Sequence, residues 1–206
     1  MSAACRAPRT AATTRRAAQL TVGAAAAALV LTACSGGGVN GNGNNTNFVT
    51  STGGISTVKK GDRSDAPVLT GKDLNGKRMS TADYKGKVLV VNIWGSWCSP
   101  CRAEAKYFSK VSEQTKDKDV QFIGINTRDA RTDSAINFEK DYGITYPSFY
   151  DPSGKLLLKF KPGTLNPQGI PNTIVIDRDG KLAARSLKAL NATSLHEMID
   201  PVIAEK

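Results

Sequence analysis

Val88-Leu-Val-Val-Asn-Ile-Trp-Gly-Ser-Trp-Cys-Ser-Pro-Cys-Arg-Ala-Glu104 is the stretch that decides how the chain folds. The apolar run Val88 to Val91, continued by Ile93 and Trp94, predicts a strand buried on both faces. Gly95 and Ser96 end it, and Cys98 and Cys101 follow with Pro100 between them. Proline suits the first turn of a helix, where its missing N–H would have had no partner. Cys98 is therefore expected at a helix N-terminus, just past the carboxyl end of a central strand. The partial positive charge there favours thiolate over thiol. A thiolate with a second sulfur one turn away can attack a disulfide and then be resolved by its neighbour.

Outward from this stretch, the Cys-bearing helix is expected from about Pro100 to Gln114, with Cys101, Ala105, Phe108 and Val111 on its inner face. Upstream, Ala66 to Met79 reads as a hairpin turning at Asn75-Gly76, and Ser80 to Tyr84 as a short helical turn. Downstream, Val120 to Asn126 is a second apolar strand. Thr132 or Asp133 can cap a helix that stops at Gly143. Pro147 to Tyr150 and Lys155 to Phe160 are candidate strand pieces, and Lys161 to Gly169 is a loop. Thr173 to Asp177 and Lys181 to Ser186 pair antiparallel about Asp179-Gly180. A last helix starts near Thr193, with Ser194 and Glu197 as its capping pair and Pro201 shortening or bending it. The order gives an α/β fold: a mixed central sheet flanked by helices, with an N-terminal hairpin and a central helix-strand insertion.

The termini differ in character from this core. The net charge of +10 includes Arg6, Arg9, Arg15 and Arg16, which lie in a first stretch of 33 residues without an acid. Arg15 and Arg16 precede an alanine-rich apolar segment, Ala17 to Leu31, so residues 1–33 are expected to be a signal peptide. Leu31-Thr32-Ala33-Cys34 resembles the lipobox of bacterial lipoproteins, which implies cleavage before Cys34 and a lipid on its sulfur. The plainer alternative is an ordinary cleaved signal. Residues 34–63, rich in Gly, Asn, Ser and Thr, read as a flexible tether, leaving 64–206 as the folded domain. The remaining basic residues are interspersed with acids, and no basic stripe with aromatic platforms suggests a nucleic-acid partner.

With those residues placed, residues 64–206 resemble the thioredoxin-like superfamily, in particular its membrane-tethered TlpA/ResA/DsbE-like branch. Trp97-Cys98-Ser99-Pro100-Cys101 after a buried strand carries most of the resemblance, and Gly169-Ile170-Pro171-Asn172-Thr173 before the third strand carries the rest. The resemblance implies a cis peptide at Pro171, facing the cysteine pair, and a redox-active Cys98–Cys101 disulfide. It implies an extracytoplasmic thiol-disulfide oxidoreductase that reduces disulfides in exported proteins, with apocytochrome c or a copper-site assembly protein as clients. A membrane partner would supply or accept electrons. Two departures stand out: Asn92 replaces the buried aspartate of plain thioredoxins, and Lys106 replaces the usual helix proline.

Each site residue also has a role expected from its chemistry. Cys98 is the exposed nucleophile, with a pKa below the free value of ~8.5, and Cys101 resolves the mixed disulfide. Trp97 covers the nucleophile, whereas Trp94 belongs to the core. Glu104 lies beside the apolar stripe. It is either a partly buried carboxylate that shuttles protons to Cys101, as the resemblance implies, or a helix-start acid favoured by the dipole. Ile170 offers its backbone to an extended client segment. No metal or other cofactor is expected, because zinc wants about four ligands and the domain offers two thiols and His196. A disulfide-forming oxidase and a Cu(I)-binding chaperone remain as alternatives. A peroxidase is disfavoured because Gly95 stands where a threonine is needed.

Overall fold

The computed structural model describes residues 46–51 and 53–205. The expected signal peptide 1–33, the expected lipid site Cys34 and the first part of the expected tether lie outside the described residues. In chain order the elements are β1 (Val49–Thr50), β2 (Ile55–Thr57), β3 (Thr70–Lys72), β4 (Arg78–Ser80), β5 (Val88–Trp94) and α1 (Ser99–Thr115). They continue with β6 (Val120–Thr127), α2 (Thr132–Tyr142), β7 (Ser148–Asp151), β8 (Asn172–Ile176), β9 (Leu182–Ser186) and α3 (Ala192–Ala204).

Seven strands form one mixed sheet in the order β1-β2-β9-β8-β5-β6-β7, and β3 and β4 pair separately as a hairpin. β5 runs parallel to β6 and antiparallel to β8. Every residue of β5 is buried, so the strand is apolar on both faces, as a central strand must be. Its side chains alternate. Val88 and Val90 join Phe108 and Val111 of α1 and Leu195, Met198 and Ile199 of α3. Leu89, Val91 and Ile93 face the other way, onto Leu69, Phe149, Leu157 and Phe160. Trp94 follows the first set and stacks on Phe138 of α2, ring centroids 4.4 Å apart. The three long helices thus share one face. The hairpin and the one-turn 3-10 helix Leu157–Lys159 cover the other.

Several boundaries differ from the sequence reading. The tether expected through residue 63 is shorter, because β2 pairs with β9 and β1 pairs with β2. Ile55 and Val58 are buried, Phe48 lies under the Arg185 guanidinium, and Arg63 is clamped by Asp177 and Glu205 at 2.9 and 2.6 Å. A strand this short is carried by the edge it joins rather than by its own composition, so the Gly- and Asn-rich surroundings hid it. Lys155 to Phe160 is not a strand: Asp151 accepts the amides of Lys155 and Leu156 at 2.9 and 2.8 Å and turns the chain into the 3-10 helix. The cap of α3 is Asn191, whose side chain accepts from the Ser194 amide at 2.9 Å, not the Ser194–Glu197 pair. Pro201 sits inside α3, which continues to Ala204. α1 runs unbroken through Lys106. Among the described residues no helix is long and apolar enough to cross a membrane.

Gly124 in β6 is where three elements crowd closest beneath α1. A Cβ there would stand 2.0 Å from Ser148 Oγ, 2.8 Å from Ser148 Cβ and 2.7 Å from Trp94 Nε1. Only one of those atoms is at the free end of a flexible group, so Gly124→Ala forces Trp94 or β7 to move. Overpacking of this kind costs about 3 kcal/mol, roughly 6–12 °C in melting temperature for a domain of this size. Thermal melts of G124A and of G124A/S148G check it, since removing the serine side chain should recover part of the loss.

Candidate active site

The site lies at the carboxyl end of β5, where the chain must leave the sheet. Cys98 N donates to Gly95 O at 3.1 Å, which closes a tight turn. α1 then begins at Ser99 with Pro100 in its first turn, and Cys98 is the residue that caps it. The Cys101 amide donates to Cys98 Sγ at 3.2 Å. One of the unpaired amides at a helix start is therefore satisfied by sulfur, where the helix dipole also favours negative charge. Cys98 and Cys101 are joined as a disulfide. In this form Cys98 is only 3% exposed and Cys101 1%, so the outer sulfur is not the open group the sequence suggested. It belongs to one buried cluster with Leu74, Trp94, Ala105 and Phe138.

A second loop closes over the pair. The Ile170–Pro171 peptide is cis, and Cys98 Sγ lies 3.8 Å from the Ile170 carbonyl oxygen. Fully buried Asn172 shapes this loop. Its Nδ2 donates to the carbonyls of Gly169 and Asn166 at 2.6 and 3.1 Å, and its Oδ1 accepts the Asn166 amide at 3.1 Å. Trp97 is 53% exposed, with its indole against Gly95. The apolar platform is thus beside the turn and open to solvent.

Glu104 lies one turn beyond Cys101 and is 2% exposed. Asn92 Nδ2 donates to its Oε1 at 2.9 Å, and the Leu190 amide donates to its Oε2 at 2.9 Å. Both bonds favour the carboxylate, yet burial outweighs them and pushes the carboxyl up to about 8. The helix-start alternative for Glu104 therefore does not describe its surroundings. Asn92, facing α1 from β5, orients the glutamate and is itself within 3.4 Å of Thr173 Oγ1. His196 sits apart on α3, beside Asp200 and Gln114.

Two residues at the site escaped the sequence reading. Arg128 and Asp129, just past the end of β6, reach the Pro171 loop and the cysteine turn respectively from one point: Arg128 donates to Pro167 and Gln168, and Asp129 accepts from Ser96. The available signal was their place beyond the carboxyl end of a parallel strand, where open α/β sheets put functional groups. Among the described residues no three His, Cys, Asp or Glu side chains converge, so a copper-binding reading rests on the two thiols alone.

A paired CxxC at a helix start, faced by a cis-proline loop at the end of a mixed sheet, defines a thiol-disulfide oxidoreductase with a thioredoxin-like fold. The Redoxin family model matches residues 59–199, and the chain belongs to that family. It is 29% identical over 147 residues to the thiol-disulfide oxidoreductase ResA of Bacillus subtilis, covering 71% of this chain and 78% of that one. The ResA of Bacillus thuringiensis (strain Al Hakam) is 34% identical over 119 residues, 57% of this chain and 65% of the relative. Among solved structures, a DsbF homologue from Corynebacterium diphtheriae is 37% identical with a TM-score of 0.67, over 74% of this chain and 97% of that one. A secreted thiol-disulfide isomerase from Corynebacterium glutamicum is 28% identical with a TM-score of 0.71, over 79% of this chain and all of that one.

Proposed function

We propose that this enzyme works outside the cytoplasmic membrane, tethered by a lipid on Cys34, and reduces disulfides in exported proteins. The observation that carries the direction is the burial of Cys101 and Glu104 one helical turn apart on the inner face of α1. The same desolvation that lifts the carboxyl disfavours a thiolate on Cys101. Burial of the inner sulfur withholds thiolate stabilisation from the reduced form, which favours release of its electrons. The absence of a histidine between the cysteines, where Ser99 and Pro100 stand, points the same way. The secreted relative from Corynebacterium glutamicum supports the location, as does the order Leu31-Thr32-Ala33-Cys34 in the sequence.

In the forward reaction the Cys98 thiolate attacks a client disulfide, and one client sulfur leaves as a thiolate and takes up a proton. In the fraction of enzyme in which Glu104 is ionised, Cys101 then passes its proton to that carboxylate and attacks Cys98 Sγ. The second client sulfur leaves, and the enzyme is left as the Cys98–Cys101 disulfide, two electrons having passed to the client. A carboxyl pushed up to about 8 is a stronger base than an ordinary carboxylate, which suits it to take a thiol proton. Ile170 and Pro171 hold the client strand against the sulfur, with Trp97 as an apolar contact beside it. A membrane dithiol donor restores the reduced enzyme. Apocytochrome c thiols and a copper-site assembly protein are the client classes that the TlpA/ResA/DsbE-like resemblance implies.

Equilibration of the cysteine pair with a dithiol buffer tests the direction. A potential near that of thioredoxin, about −270 mV, is expected; a value near −120 mV would assign the enzyme to disulfide formation instead.

A further inference from the structure

The cysteine turn and the cis-proline loop come from distant parts of the chain, yet both are held by one dipeptide. Asp129 is 5% exposed. Its Oδ2 accepts the Ser96 amide at 2.9 Å and Asn126 Nδ2 at 2.6 Å, and its Oδ1 accepts the Ser96 hydroxyl at 2.5 Å. Tyr150 donates its hydroxyl to the Asp129 carbonyl at 3.1 Å, which fixes the backbone at this point. The neighbouring Arg128 points to the other side. Its Nη1 donates to Gln168 O at 3.1 Å and its Nη2 donates to Pro167 O. These carbonyls belong to the loop that ends in Ile170 and Pro171.

Arg128 has φ of 60°. An L side chain with a Cβ adopts this left-handed conformation only at a cost, and such residues persist where the surroundings hold them. Here the reversal is what lets adjacent side chains reach opposite walls of the site: one carboxylate on the cysteine side, one guanidinium on the proline side. A planar guanidinium can span two carbonyls at once, which a lysine ammonium does less well.

We propose that Arg128 and Asp129 form a brace that sets the width of the cleft between the cysteine turn and the Ile170–Pro171 loop, and so determines how an extended polypeptide is seated on Cys98. The brace touches neither sulfur and acts by positioning. It rests on the reading that the substrates are protein disulfides. A small disulfide needs no wall on the proline side, whereas a polypeptide needs both.

Arg128→Gly is the informative variant, because glycine adopts φ of 60° freely and only the two guanidinium bonds are removed. The full-length protein is assayed with insulin and with glutathione disulfide, and its melting temperature is measured. R128G is expected to melt no lower than the parent. Its KM for insulin should rise about tenfold, as fits the loss of charge-assisted bonds, while kcat for insulin and the rate with glutathione disulfide change less than twofold. R128K should fall between. Equal changes with both disulfides, or none with either, would overturn the brace. A parent enzyme that turns over glutathione disulfide but never insulin would overturn the protein-disulfide reading and the brace with it.

Discussion

Cys101→Ser is expected to turn the enzyme into a trap. Cys98 keeps its place at the start of α1, and the backbone amide three residues on still faces its sulfur, so attack on a client disulfide proceeds. The mixed disulfide then has no internal thiol to resolve it, and turnover stops after one event. Non-reducing electrophoresis should show adducts that vanish with dithiothreitol, and mass spectrometry should place them on Cys98. C98S should form no such adducts, because Cys101 lies inside α1 and lacks the helix-capping position that favours a thiolate on Cys98. Adducts carried by Cys101 in C98S would reverse the two roles. Serine differs from cysteine by one atom, so the variant is expected to fold, and its melting curve serves as the control.

Glu104→Gln should slow resolution of the mixed disulfide by about a hundredfold, within the usual reach of a general base. The substitution preserves the shape of the site. The new carboxamide can keep its oxygen toward the Leu190 amide, and Asn92 can turn its own side chain to accept from the introduced NH2 group. What is lost is the proton acceptor proposed for Cys101. Between pH 6 and 9 the parent should show a step governed by a carboxyl near 8, and the variant should follow the thiol alone. Stopped-flow resolution of a preformed adduct reads this directly. An unchanged rate and profile would leave Glu104 as a structural acceptor for Asn92 and Leu190. Stability carries the same signature with a definite sign. Between the carboxyl's ordinary 4.5 and about 8, the native state holds a proton that the unfolded chain has released. The parent therefore loses stability as pH rises through that window, and E104Q should remove this part of the slope.

The elements that lead from the sheet to the sulfurs were legible because each is locally determined. β5 is an unbroken apolar run bounded by Gly95, and α1 carries its own start signal in Pro100 and its own inner face in Ala105, Phe108 and Val111. Cys98, Cys101 and Pro171 came together in the structure as the motif implied. β1 and β2 were not legible, since the three residues of β2 gain strand character from β9, more than a hundred positions away, and the two of β1 gain it from β2. The exposure of Cys98 was misjudged because burial depends on what packs over a residue, here side chains from α1, α2 and the β3–β4 hairpin. Arg128 and Asp129 belong to no motif. Their roles arise from a backbone reversal that sequence periodicity does not register.

The borders of the sheet bear on how the enzyme can survive its work. One border is β1, two residues long. The other, β7, is already bridged by Asp73 to Phe149, and its Ser148 carbonyl accepts the Leu74 amide at 3.2 Å. Among the described residues, neither rim offers a run of bare peptide groups on which a half-folded neighbour could zip itself into an aggregate. An enzyme that meets chains with unsettled disulfides is thereby spared the commonest route to coprecipitating with them.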